Sequence, residues 1–251
     1  MSFIKINNLN IYYEKKGNKG KKVILLHGWG QNTSMMDFIA EHLKKHFIVY
    51  NIDFPGFGES DLPNEAWGVN EYSEFLKVFI DKKKIENPIL IGHSFGCRVA
   101  LEYAYKYDVN KMILTGAAGI RPTRHLDYYF KVYTYKLIKK ILSINCLEKY
   151  KEKYINKAGS SDYQNTSGIL RQSFVKIVNE DLKPILKDID TPTLLVWGEN
   201  DSDVPLKYGR MMEELMPNAT LVIFEKDDHY AYFHQANRFN AVLDAYLKED
   251  E

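Results

Sequence analysis

The 251-residue sequence predicts an α/β fold, with a mostly parallel twisted sheet covered by helices on both faces. Short runs of β-branched residues and leucine alternate with segments whose apolar residues recur at helical spacing. Polar or glycine-rich residues follow several of the predicted strands directly. Because the carboxyl ends of parallel strands line one edge of a sheet, these residues are expected to form a ligand site there.

The elements follow one another in a regular order. An antiparallel pair at 3–6 and 10–14 is predicted first, turning at Asn7 and Asn8. Further strands are predicted at 23–26, 47–52, 89–91, 111–114, 193–197 and 219–224. Helices are predicted at 35–43 and 71–80, after residue 95, and at the C-terminus around Phe239, Val242, Leu243 and Tyr246.

Residues 121–184 break this alternation. They contain no convincing strand but carry aromatic and apolar residues in helical phasing, with a break at 159–161. We interpret them as a helical lid over the carboxyl ends of the strands, inserted into a core formed by 1–120 and 185–251.

Composition excludes several classes of protein. The chain is 45% hydrophobic and 27% charged with a net charge of +1, which is ordinary for a soluble globular protein and gives no reason to expect nucleic acid. No apolar run approaches the roughly 18 residues of a membrane span, and no signal peptide is apparent. Two cysteines provide no disulfide framework, so a cytoplasmic location is expected. A monomer and a homodimer both remain open.

The most specific motif is Gly92-His93-Ser94-Phe95-Gly96, between the strand at 89–91 and a helical segment. In that setting G-x-S-x-G forms a nucleophile elbow, a strained turn that exposes the serine hydroxyl beside a helix N-terminus. The alternative interpretation is a glycine-flanked serine in an ordinary loop. The elbow predicts Ser94 as a nucleophile.

A serine hydroxyl needs a base to remove its proton. His229 follows the last predicted strand in a loop, at the same edge of the sheet as Ser94, and is the predicted base. His27 is expected to support the glycine loop that it begins. The remaining histidines are expected to be solvated, satisfied on helices or directed away from the site: His42, His46, His93, His125 and His234.

The acid that orients His229 is expected just after the strand at 193–197. Three carboxylates lie there, and Asp201 is the first choice, before Asp203 and then Glu199. Asp227 and Asp228 are close in sequence to His229 and are not preferred. The order serine, aspartate, histidine is that of α/β hydrolases.

An oxyanion hole requires two N–H donors. The backbone N–H groups of Phe95, after the nucleophile, and of Trp29, in the loop His27-Gly28-Trp29-Gly30, are the predicted donors. Gly28 lets that backbone approach the substrate closely. The alternative is that the loop is a tight turn and no more.

These motifs together resemble the α/β-hydrolase superfamily over essentially the whole chain. The matching segments are 27–30, 53–60, 92–96, 197–201 with Pro205, and 228–229. Spacing and lid position are similar to the carboxylesterases that include pimeloyl-carrier-protein methyl esterase, and also to carbon–carbon bond hydrolases of vinylogous diketones. The chain departs from the commonest elbow at Cys97, where a second glycine is frequent.

The residues and the resemblance imply a hydrolase without cofactor or metal that cleaves a carboxylic ester or thioester through an acyl-enzyme on Ser94. The alternatives are a carbon–carbon hydrolase and a slow or non-catalytic ligand receptor. The substrate is expected to be a small acyl compound. Ten basic residues against three acidic ones over 121–160 suggest an anionic or carrier-protein-linked substrate, with a solvated lysine-rich surface as the alternative.

Overall fold

A computed structural model of the chain describes residues 2–122, 133–134 and 161–250. These residues form an eight-stranded sheet in the order β1-β2-β4-β3-β5-β6-β7-β8. The pairs β1–β2 and β2–β4 are antiparallel, and all the others are parallel. The strands are β1 Ser2–Ile6, β2 Leu9–Lys16, β3 Lys22–Leu26, β4 Ile48–Ile52, β5 Ile89–His93, β6 Lys111–Thr115, β7 Thr193–Gly198 and β8 Ala219–Phe224.

The described helices connect these strands. They are α1 Asp37–Leu43, α2 Val69–Lys82, α3 Phe95–Lys106, α4 Ser161–Asn165, α5 Gly168–Asn179, α6 Lys207–Leu215, α7 Ala231–His234 and α8 Ala236–Leu247. Short 3-10 helices lie at Thr33–Met36, Lys183–Asp188 and Lys248–Asp250. The predicted strands and helices of the core are confirmed, with ends that differ by one or two residues.

The sheet is buried on both faces. Apolar side chains of α2 and α3, such as Phe75 and Leu101, pack on one face. Those of α1 and α8, such as Ile39 and Leu243, pack on the other. Burial on both faces explains why the parallel strands are nearly continuous apolar runs.

The strand order brings two loops together. The chain runs from β3 outward to β4, then returns to place β5 on the other side of β3, where Leu26 pairs with Gly92. The loops after β3 and β5 therefore diverge from neighbouring strands at a topological switch point, the place where open α/β sheets bind ligands. These are the loops that contain Trp29 and Ser94.

Part of the predicted lid is described, and it is helical at α4 and α5. Helix α5 is attached to the loop before α2, since the backbone N–H of Trp67 donates to Ser173 Oγ at 2.9 Å. Of the ten basic residues counted over 121–160, only Arg121 lies within the described residues. None of the described helices combines the length and hydrophobicity needed to cross a membrane.

Candidate active site

Ser94 occupies a strained turn between β5 and α3. Its φ of 49° and ψ of −103° lie in a region of backbone conformation that residues other than glycine rarely adopt. The turn is held by hydrogen bonds, because Ser94 N–H donates to Thr115 O at 3.0 Å and Ser94 O accepts from Cys97 N–H at 3.1 Å. A methyl group on Gly96 would overlap the carbonyl of Leu26, so only glycine lets α3 pack this close to β3.

Cys97, the departure from the common elbow sequence, is accommodated in the first turn of α3. Its side chain is fully buried, and Sγ lies 3.5 Å from Thr115 O. Burial raises the pKa of this thiol far above its usual value, so the sulfur is a packed, protonated group.

His229 and Asp201 form a buried pair between the loops after β8 and β7. His229 Nδ1 lies 2.7 Å from Asp201 Oδ2, and the two side chains are 8% and 0% exposed. Because an ionised carboxylate only accepts hydrogen bonds, the ring hydrogen is assigned to Nδ1. The neutral ring then carries its lone pair on Nε2, the atom a general base uses.

Backbone donors hold the Asp201 carboxylate in place. Its second oxygen, Oδ1, accepts from the N–H groups of Asp203 at 3.0 Å and Val204 at 2.8 Å. The other two candidate acids take different positions. Asp203 is exposed, and Glu199 accepts from Lys226 N–H at 2.9 Å. Of the three carboxylates after β7, only Asp201 is hydrogen bonded to His229 in the described part of the chain.

Ser94 and His229 both lie at the end of β6. Ser94 is hydrogen bonded to Thr115 O, and a methyl group on the next residue, Gly116, would lie 2.8 Å from His229 Nδ1. The rings of His93 and His229 are 4.7 Å apart. Within the described residues, no hydrogen bond joins the Ser94 hydroxyl to His229. Such bonds are often long in resting enzymes and shorten when substrate is bound.

The loop after β3 is ordered by His27, which is completely buried. His27 Nδ1 lies 2.7 Å from Gly28 O, and Nε2 accepts from Phe54 N–H at 3.0 Å. Burial lowers the pKa of His27 to about 4, although the bond to Gly28 and the charge of Asp53 act in the opposite direction. The ring is therefore neutral at pH 7 with its hydrogen on Nδ1.

Trp29 lies beside the elbow in an aromatic cluster. Its ring makes edge-to-face contacts with Phe57 and Phe95, at centroid distances of 4.8 and 5.3 Å. Phe174 of α5 lies 5.3 Å from the same ring. Phe95 is the first residue of α3, so its N–H has no partner within the helix. The two candidate oxyanion donors thus border an apolar, aromatic surface.

Among the other described histidines, His93 adjoins His229, with ring centroids 4.7 Å apart, and so is not directed away from the site as expected. His93 is buried with Nδ1 3.1 Å from Thr115 Oγ1, and burial together with the neighbouring His229 lowers its pKa well below the usual value. His42, expected to be solvated, is hydrogen bonded to Asp244 at 2.6 Å. His234 pairs with Asp227 at 2.8 Å on the surface. His125 lies outside the described residues.

One group among residues 2–122, 133–134 and 161–250 has the spacing of metal ligands. Asp227, Asp228 and His234 place one ligand atom each within 4.8 Å of one another. Asp228 and His234 are exposed, and their ligand atoms already have partners: His234 Nδ1 is hydrogen bonded to Asp227, and Asp228 accepts from Tyr230 N–H. We assign no metal to this surface group.

Sequence reasoning did not identify three residues around the site. Gln31 contacts both Gly28 and Tyr230, and the Tyr230 ring lies within 5.4 Å of the His93 and His229 rings. Asp162 of α4 interacts electrostatically with Asp203 and His229; burial raises the pKa of its carboxyl. Only their positions in the sequence could have indicated two of them, since Gln31 follows the glycine loop and Tyr230 follows His229.

Comparison with known proteins gives the family. A model of the alpha/beta hydrolase family matches residues 23–242. The chain belongs to that family. As an alpha/beta hydrolase, it has a core whose carboxyl-end loops carry the Ser94 elbow, the Asp201–His229 pair and the Trp29 loop.

Three relatives extend over nearly its whole length. A pimeloyl-[acyl-carrier protein] methyl ester esterase of Aliivibrio fischeri is 24% identical, over 96% of this chain and 98% of the relative. A 2-hydroxy-6-oxo-6-phenylhexa-2,4-dienoate hydrolase of Comamonas testosteroni is 25% identical, over 97% and 93%. The structure of an esterase from Exiguobacterium antarcticum superposes with a TM-score of 0.78 at 25% identity, covering 98% of this chain and 99% of the other. These relatives support hydrolase activity.

Proposed function

We propose that this alpha/beta hydrolase cleaves a carboxylic ester or thioester through an acyl-enzyme on Ser94. The observation that carries the proposal is the buried His229–Asp201 pair at the same sheet edge as the strained Ser94 turn. Burying a carboxylate is costly unless it is paired and hydrogen bonded, and Asp201 is both. Such an arrangement is typical of a group that holds an imidazole for proton transfer.

In the proposed reaction, His229 Nε2 accepts the Ser94 proton as Oγ attacks the substrate carbonyl carbon. Asp201 keeps the hydrogen on Nδ1 and stabilises the imidazolium. The N–H groups of Phe95 and Trp29 bind the negative oxygen of the tetrahedral intermediate. The protonated His229 then gives its proton to the leaving alcohol or thiol. A water molecule, activated by His229, attacks the acyl-enzyme, releases the acid and restores Ser94.

The surroundings favour an apolar acyl group. Trp29, Phe57 and Phe174 form an aromatic surface beside the proposed oxyanion donors. We further propose that residues 121–184 form the lid, because Phe174 of α5 contacts Trp29 directly. Steering of an anionic or carrier-linked substrate by the basic residues of 121–160 stays a prediction, since nine of those ten residues lie outside the described part of the chain. Asp162, which interacts electrostatically with His229, opposes an anionic group at that point.

Carbon–carbon bond hydrolysis is the second candidate, because the Comamonas relative is named as a dienoate hydrolase and aligns over 97% of this chain. The two reactions can be separated with purified protein. We expect short-chain p-nitrophenyl esters to be hydrolysed with a kcat/KM at least tenfold above that for a 2-hydroxy-6-oxo-dienoate. The opposite ranking would replace the ester assignment.

Labelling by a fluorophosphonate probe tests the nucleophile directly. We expect the wild-type protein to be labelled at Ser94 and Ser94→Ala to be unlabelled. The same substitution should lower kcat for a p-nitrophenyl ester by roughly a million-fold, since the base and donors then have no nucleophile to assist. Wild-type protein that resists the probe and hydrolyses none of the esters would instead favour a ligand receptor on this fold.

A further inference from the structure

The peptide group between Gly28 and Trp29 is held firmly. Gly28 O accepts from Gln31 backbone N–H at 3.2 Å and lies 2.7 Å from His27 Nδ1. The peptide bond is trans and planar, so the Trp29 N–H points opposite to the Gly28 carbonyl. Holding the carbonyl therefore sets the direction of the N–H that the proposed mechanism uses as an oxyanion donor.

Gly28 is also held on its other side. Its own N–H donates to Gln31 Oε1 at 3.0 Å. A methyl group on Gly28 would lie 2.9 Å from that oxygen and 2.9 Å from His93 Cδ2, so the contact requires glycine. Glycine is the most flexible residue of the backbone, and without the Gln31 side chain one of its two peptide planes would lose its anchor.

The Gln31 amide also reaches the loop of the candidate base. Gln31 Nε2 lies 3.5 Å from the hydroxyl of Tyr230, which is at the long limit of a hydrogen bond. Tyr230 follows His229, and its ring lies 5.4 Å from the His229 ring and 5.3 Å from the His93 ring. One side chain thus connects the loop after β3 with the loop after β8.

We propose that Gln31 is a positioning residue: its amide holds Gly28 so that the Trp29 N–H faces the developing oxyanion, and Tyr230 supports that amide. The proposal rests on the proposed acyl-enzyme function. It assigns Gln31 no contact with the substrate. Its effect is expected in the transition state, where negative charge appears on the substrate oxygen, and to a much smaller extent in the ground state.

The experiment compares Gln31→Met, which keeps side-chain length but removes both hydrogen bonds, with Gln31→Glu, which keeps the acceptor for Gly28 N–H. Each variant is assayed with p-nitrophenyl butyrate, and active sites are counted by fluorophosphonate titration. An alkyl trifluoromethyl ketone serves as the transition-state probe, because its adduct with Ser94 places an oxyanion at the same donors.

We expect Gln31→Met to lower kcat about tenfold, less than the 10²–10³-fold loss of removing a donor outright. The Ki of the trifluoromethyl ketone should rise in parallel, while KM changes less than twofold. Gln31→Glu should recover activity to within about threefold of wild type. Tyr230→Phe should cost about twofold in wild type and nothing further in Gln31→Met, because the amide it supports is already gone.

Three results would overturn the proposal. The first is unchanged kcat and Ki in Gln31→Met. The second is an equal loss of activity in Gln31→Met and Gln31→Glu, and the third is a rise in KM without a change in Ki; a general packing defect produces either of these two. Because the wild-type protein is titrated first, failure of Ser94 labelling identifies failure of the proposed function separately.

Discussion

Two histidine–aspartate pairs each have one member in the loop after β8. The two pairs have similar distances but different surroundings. His229 Nδ1 lies 2.7 Å from Asp201, and His234 Nδ1 lies 2.8 Å from Asp227. The first pair is 8% and 0% exposed, whereas His234 is 48% exposed. A short Nδ1–carboxylate distance therefore does not by itself indicate catalysis.

The difference comes from what surrounds each pair. Asp201 is buried and held by two backbone N–H groups of its own loop. His229 packs against Gly116, beside the strand ends that position Ser94. The His234 pair is partly open to solvent, with His234 48% and Asp227 11% exposed, and an ion pair in such a position stabilises little. Burial and the neighbouring strand ends make the first pair the candidate for catalysis.

Replacing the histidines is expected to separate the two pairs most strongly. His229→Gln should lower kcat for a p-nitrophenyl ester on the order of 10⁵-fold, because the proton acceptor is lost. His234→Gln should leave kcat within twofold of wild type. Steady-state kinetics on both purified variants measures this. Equal losses in the two variants would remove the distinction between the pairs.

Replacing the aspartates is the next test. Asp201→Asn should lower kcat about 10⁴-fold, because an amide can donate to Nδ1 and so favour the wrong tautomer of His229. Asp227→Asn is the matched control and should retain kcat within twofold. A loss of kcat below about tenfold in Asp201→Asn would show that another group orients His229. The same assay gives both values.

A third pair of substitutions tests how β7 packs against residues 225–230, the loop after β8 that contains Asp227 and His229. A methyl group on Gly198 would overlap Asp228 O, a backbone atom that cannot move away alone. Gly198→Ala should therefore cost about 2 kcal/mol of unfolding free energy, within the usual range for overpacking. Gly119→Ala is the control, since its methyl would meet the ends of two side chains at 3.2 Å. Urea denaturation that finds the two variants equally stable would contradict the close packing of β7 against this loop.

The smallest expected effect is the pH dependence of the exposed pair. The hydrogen bond to Asp227 raises the pKa of His234 above 6.5, and despite partial burial, bonds from His234 and Gln235 lower the pKa of Asp227 below 3.8. The pair therefore stabilises the fold between these values, and that contribution is lost as pH rises through the raised histidine pKa.

Urea denaturation of His234→Gln and wild type at pH 5.5 and pH 9 measures this contribution. The difference should be about 0.2–1 kcal/mol at pH 5.5, as for other exposed ion pairs, and smaller at pH 9. A larger difference at pH 9 would contradict stabilisation by a protonated His234 beside an ionised Asp227.

The secondary structure was largely predictable. Strands such as β6 and β7 are buried on both faces and so consist of nearly continuous apolar runs. The Ser94 turn was predictable as well, because the G-x-S-x-G pattern describes a local steric requirement. Glycines at 92 and 96 meet the backbone of neighbouring elements closely, as the elbow demands.

Contacts between loops that are distant in sequence were harder to predict from the sequence. From the sequence, Asp201 is the first choice before Asp203 and Glu199, but all three are carboxylates of one loop and no local pattern shows which of them reaches His229. In the structure it is the carboxylate capped by two backbone N–H groups and directed at His229. No sequence pattern singles out Gln31, since its contact with Tyr230 joins residues 199 positions apart.

The sequence by itself determined which segments become strands and helices and where the nucleophile turn forms, because those depend on residues near one another along the chain. Only the tertiary structure decided which carboxylate joins His229 and which side chain holds the Trp29 loop. Those choices depend on how the strand ends β3, β5, β7 and β8 are arranged in space, and on which polar groups become buried together there.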